Sequence, residues 1–180
     1  MEYQVNLTTY ELQLASFVGW RRQLHAVIQD KKDAHGIDPA MGWGVHVNGA
    51  CGELAVAKLT GRYWDGSVDT YKAGGDMGAQ VNIRTRSLHH YELIVRPGDT
   101  YSGYWILVTG VAPRFIVRGY VFGQEIIHVG RVDDFGNGRP PAYVVSHDKL
   151  RDMADLFATP LLTPPDTKQA TTAMPTDGPS

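Results

Sequence analysis

A single cysteine, Cys51, in 180 residues excludes an intramolecular disulfide and a cysteine-based zinc site of the usual four-ligand kind. Such usage points to a reducing compartment. Long apolar runs are missing too: no stretch approaches the roughly 20 residues of a membrane span, and no basic leader precedes an apolar segment at the N-terminus. The expectation is a cytoplasmic chain that makes no membrane contact. Positive charge is in short supply, with 17 Lys and Arg against 19 Asp and Glu and a net charge of −2. Bulk electrostatics therefore does not draw this chain to nucleic acid, and any such contact rests on a local basic patch. Two common catalytic signatures are also absent. "GDMGAQ" has neither the Lys nor the spacing of a phosphate-binding loop, and no G-x-S-x-G occurs.

What is present is the make-up of a soluble globular domain, 43% hydrophobic and 20% charged. The length suits one domain, which we place at residues 1–158. Over 159–180 the chain turns to Pro, Thr, Asp and Ser with few aromatics, the composition of a disordered tail.

Thr8 followed three residues later by Glu11 forms a capping box and predicts a helix start. The apolar residues Leu14, Phe17, Val18, Leu24 and Ile28 recur at helical spacing and leave Arg21 and Arg22 toward another side. "AHGIDPAMGWG" supplies the Gly and Pro that end helices, and a second helix is expected from about Val47 or Gly49 to Leu59, closed by Gly61. Beyond it the pattern changes to short β-forming runs between Gly, Pro and Asp turns: "SVDTYKA", "AQVNIRT", "YELIVRP", "YWILVTG", "RFIVRGYVF" and "RPPAYVV". The unbroken apolar runs "ELIV" and "WILV" predict strands covered on both faces. Ser146 is placed to cap a last helix with Leu150, Met153, Leu156 and Phe157 in one stripe. Cys51 reads as a small buried residue, His89 and His90 as a loop pair, and the four tryptophans as core or core edge.

The stretch "GGDMGAQVNIRTR" puts the acid Asp76 ahead of a strand on which Asn82, Arg84 and Arg86 share one face and Val81, Ile83 and Thr85 the other. Another acid, Glu53, lies on the second helix. Phosphodiester cleavage requires hard oxygen ligands around one or two divalent ions and a cation for the developing charge, so these residue types suit that chemistry. As bland alternatives, Glu53 is a solvated helix residue, Asp76 a turn acid, and the arginines a solvated strand face.

With "GACGELAVAKLTG", "GGDMGAQVNIRTR", "LIVRPGD" and "VTGVAPRFIVRGYV", the chain resembles the PD-(D/E)XK nuclease superfamily, closest to its small phage and bacterial members, over roughly residues 10–157. The resemblance implies an α/β (α+β) fold with a restriction-endonuclease-like core, a central mixed sheet of about five to six strands flanked by N-terminal and C-terminal helices. It implies a Mg²⁺- or Mn²⁺-dependent endonuclease or exonuclease acting on DNA, and it is compatible with a homodimer. Glu53, Asp76 and Asn82 would be the metal ligands, with Arg84 completing the catalytic set. Asn82 stands where the family has an acid and Arg84 where it has Lys. Asn offers only a neutral carbonyl oxygen, and Arg stays protonated, so the ion would be weakly bound. Arg21, Arg22, Lys58 and Arg86 are the candidate nucleic-acid contacts. The alternatives are a nuclease fold that has lost turnover and serves as a nucleic-acid- or protein-binding module, and an unrelated accessory protein whose sheet imitates the motif.

Overall fold

The structure is a computed structural model that describes residues 2–29, 41–68, 80–99, 101–136 and 140–157. It is a mixed α/β molecule. Strand β1 (Tyr3–Asn6) is followed by helices α1 (Thr9–Ile28) and α2 (Gly42–Thr60), then by β2 (Val81–Arg86), β3 (Leu93–Val95), β4 (Tyr104–Val111) and β5 (Arg114–Phe122). A one-turn helix α3 (Ile126–Val129), β6 (Arg131–Asp133), β7 (Ala142–Val145) and α4 (Met153–Phe157) complete it. The single sheet of five to six strands is corrected to two sheets: a mixed four-stranded sheet ordered β1-β5-β4-β2, and a three-stranded one ordered β3-β7-β6. β2 runs parallel to β4 while the other pairings are antiparallel.

The pleat of β4 explains why the layers stack this way. Tyr104, Ile106 and Val108 point into a core against α1 and α2, whereas Trp105 and Leu107 point into a second core against Leu93, Val95 and Val145 of the small sheet. The run "WILV" is thus covered on both faces, as its composition requires. "ELIV" is not: Leu93 and Val95 are buried, but Ile94 is only half-buried and lines a cleft. β3 is the end strand of its sheet among the described residues, and its Ile94 side faces that cleft.

The capping box of α1 forms as expected, with the Thr8 Oγ1 accepting from the Glu11 N–H and the Glu11 carboxylate accepting from the Thr8 N–H at 2.6 Å. Of its expected apolar stripe only Val18 is buried, and Leu24 is half-buried. The buried face carries Ala15, Val18, Gly19 and Gln23, while Leu14, Phe17 and Ile28 are 53%, 56% and 73% exposed. Small residues win that face because α2 lies very close: a Cβ on Gly19 would sit 2.4 Å from Val47 Cα and 2.7 Å from the His46 carbonyl oxygen. α2 begins at Gly42, earlier than expected, and closes with Gly61 in the left-handed conformation that suits glycine.

Cys51 is fully buried and desolvation pushes its thiol up to about 11, so it is an inert packing residue. Trp64 and Trp105 are buried; Trp20 and Trp43 are corrected to surface residues, stacked on each other at 6.5 Å. Ser146 starts a short 3-10 turn and donates to Asp148 without capping a helix, and α4 starts instead where the Asp152 carboxylate accepts from the Ala154 N–H. The expected tail, and all of "SVDTYKA" beyond Val68, lie outside the described residues. No helix among the described residues is long and apolar enough to cross a membrane.

Replacing Gly by Ala inside a helix ordinarily stabilises by about 1 kcal/mol. At Gly19 the contacts reverse the sign, because the atoms in the way are backbone and overpacking costs about 1–3 kcal/mol. Urea denaturation is expected to show Gly19→Ala destabilised, and Gly44→Ala, whose Cβ meets nothing within 4 Å, unchanged or stabilised.

A candidate nucleic-acid interface at the edge of the sheet

β2 is the last strand of the four-stranded sheet among the described residues, and a cleft of about 510 Å³ is lined by residues from both of its faces. α1 contributes Arg22. α2 contributes Val45, His46, Gly49 and Glu53, and β2 contributes Ile83, Arg84, Thr85 and Arg86. The far wall is Ile94, Arg96, Asp99 and Phe135. Because alternate residues of β2 face opposite layers, the cleft joins the helix side, where Ile83 packs, to the small-sheet side, where the Arg84 guanidinium lies 4.6 Å above the Trp105 ring. Thr85 points at α2 and fits only because residue 52 has no side chain: a Cβ on Gly52 would lie 1.9 Å from Thr85 Oγ1.

Glu53 is 6% exposed, too deep for a solvated helix residue. Arg22 holds it in a fork, Nη1 to Oε1 at 2.5 Å and Nη2 to Oε2 at 2.8 Å, and the Trp64 indole Nε1 donates to Oε2 at 3.1 Å. The same guanidinium donates through Nε and Nη2 to the Ser67 carbonyl at 3.0 and 2.8 Å. Both charges are therefore multiply hydrogen-bonded, the condition under which a buried pair is tolerated. Arg22, expected on a side of α1 away from the core, points instead at α2.

The second carboxylate of the cleft is also engaged. Asp99 Oδ2 takes Arg84 Nη2 at 2.9 Å and the Arg96 backbone N–H at 2.9 Å. Four arginines thus meet two carboxylates, and each carboxylate is held by an arginine other than Arg86 or Arg96. Arg86 lies 4.8 Å over the Tyr91 ring; burial lowers its pKa, and the positive charge of Arg96 acts in the same direction. Arg96 Nη1 is buried with no hydrogen-bond partner among the described residues, and so is Thr85 Oγ1.

The structure brings Glu53, Arg84, Arg22 and Arg86 to this one cleft. Asp76 lies outside the described residues, and Asn82, half-buried on the Arg84 side of β2, is not among the residues described as lining the cleft. Lys58 sits elsewhere, donating to Glu11 at 2.8 Å and to the Asn6 carbonyl at 2.9 Å, and Arg21 is exposed on α1. The described donors alone do not make a metal site, because the oxygens of Glu53 are taken by Arg22 and Trp64 and Asp99 is taken by Arg84. Arg96, Asp99 and His46 escaped the sequence reading. The signal for two of them is in "RPGD": a cation at a strand end, followed by a turn in which Asp99 accepts from the Arg96 N–H.

None of the protein-family models, curated proteins or solved structures compared with this chain matches it.

Removing one partner of a buried ion pair costs about 3–5 kcal/mol, whereas replacing both by apolar groups is close to neutral. Arg22→Met is therefore expected to destabilise the protein by about 3 kcal/mol or more, and Arg22→Met with Glu53→Met to recover most of that loss. Urea unfolding of the two variants beside the parent measures it; equal losses in the single and double variants would show that the fork carries no buried-charge penalty.

Proposed function

We propose that this cleft binds the phosphate backbone of a nucleic acid. The observation that carries the reading is the pairing of Arg86 and Arg96, two half-buried guanidiniums lining one cleft whose charges bear on each other, with no carboxylate partner for either among the described residues. Desolvating a cation without an acceptor is unfavourable, and proteins retain such an arrangement where a ligand supplies the anion. A phosphate matches the guanidinium fork in charge and geometry. The basic patch that the acidic total charge of the chain demands is then local, a groove along one strand edge.

A second reading, metal-dependent phosphodiester hydrolysis on a restriction-endonuclease-like core, draws support from one observation. Glu53 and Arg84, which the resemblance pairs in a catalytic set, line the same cleft around a mixed sheet with two helices on one face.

Fluorescence anisotropy with labelled single- and double-stranded DNA in EDTA tests the first reading. Arg86→Ala and Arg96→Ala are each expected to weaken binding about tenfold or more, the worth of a charged hydrogen bond, and to flatten the salt dependence by about one unit of slope. Binding that ignores both substitutions would refute it. The same DNA incubated with Mn²⁺ tests the second: Asn82→Asp, which adds a carboxylate, is expected to raise cleavage above the parent. No cleavage by either protein leaves binding as the function.

A further inference from the structure

The outer face of α1 is apolar and faces solvent, although the inner face already buries the residues that hold α1 on α2. A helix apolar on both sides has two partners. On the outer side, Tyr10, Leu14, Phe17, Arg21, Leu24 and Ile28 follow one another in alternating steps of four and three, the spacing of a coiled-coil seam. Leu24 is half-buried and the other five are exposed. Trp20 widens the stripe and is stacked on Phe17 at 6.3 Å. We infer that this face pairs with the same face of a second copy of the chain, the two α1 helices running antiparallel about a two-fold axis near Gly19.

The stripe is self-complementary, as pairing with a second copy requires, and the position of its one cation sets the direction. Laid antiparallel about its midpoint, the stripe places Tyr10 opposite Ile28, Leu14 opposite Leu24, and Arg21 opposite Phe17 of the other copy. The one cation in the seam then lies over an aromatic ring, twice by symmetry, which is a favourable contact. A parallel pair would instead press Arg21 against Arg21, two like charges in a closed interface. An isologous contact of this kind closes on itself and gives a dimer, not a fibre. Arg22 projects about 120° round the helix from this stripe and toward α2, and no stripe residue lines the cleft, so the inference stands independently of what the cleft binds.

Sedimentation velocity of the full chain at micromolar concentration is expected to give a species of twice the 19.9 kDa chain mass. Leu14→Glu, which sets a charge against Leu24, is expected to give a monomer with an unchanged far-ultraviolet circular dichroism spectrum and unchanged unfolding midpoint at high dilution. Direction is read by a short thiol–thiol cross-linker. The double variant Leu14→Cys with Leu24→Cys should form covalent dimers and neither single variant should, because like positions lie about 15 Å apart along antiparallel helices. The buried Cys51 stays unlabelled and does not interfere. A monomeric parent protein would overturn the inference and leave the face to another segment of the chain or to a different protein. A dimer untouched by Leu14→Glu, or cross-linked by the single variants, would overturn the pairing or its direction.

Discussion

The fork between Arg22 and Glu53 is the contact on which the rest of the site depends. It ties α1 to α2 at a point where both charges are nearly out of water, and it reaches on through Trp64 and the Ser67 carbonyl to the segment that follows α2. Such a pair adds little net stability against an apolar replacement, but it tolerates only one geometry, because any slip leaves a buried charge without its partner. Gly19 lets the helices approach closely enough to form it, and Gly52 lets α2 approach β2 over Thr85. The floor of the cleft is set by these two close contacts.

Above that floor the charges divide. Arg22 and Arg84 are neutralised by Glu53 and Asp99, and they serve as structure: one joins the helices, the other holds the turn after β3 against β2. Arg86, stacked on Tyr91, and Arg96 have no carboxylate partner among the described residues. In a medium of reduced dielectric their mutual repulsion is larger than it would be in water, so their proximity is a standing cost that an anion placed between them would relieve. Local departures from good packing practice of this kind concentrate at functional sites, because selection for function sustains what selection for stability alone would remove. The division also gives a chain of net charge −2 a locally cationic cleft, with four arginines against two carboxylates among its described lining residues.

Much of the fold was legible from the residues. The capping box of α1, the glycine that ends α2, and the strands β2, β4, β5 and β7 all announce themselves by local chemistry, and the two-faced burial of β4 follows from its unbroken apolar run. The outer and inner faces of α1 were not legible, because the helix is apolar on both sides and periodicity has no means to say which is the core. Division into two sheets was equally hidden: strand composition does not record which neighbour a strand chooses, and β1 and β6 are too short to stand out. At the site, the alternation of Val81 to Arg86 located the edge strand, but spacing said nothing about Arg22 reaching Glu53 from 31 residues away, or about Arg96 lining the same cleft as Arg86. Long-range pairs of that sort are products of tertiary packing.

A crystal structure of the protein with a short oligothymidylate bears most directly on the central claim, since it locates phosphates without assuming any activity. A phosphate is expected between the guanidiniums of Arg86 and Arg96, with the Arg22–Glu53 fork unchanged beneath it. An oligonucleotide bound on another surface, with Arg86 and Arg96 still facing an empty cleft, would contradict it.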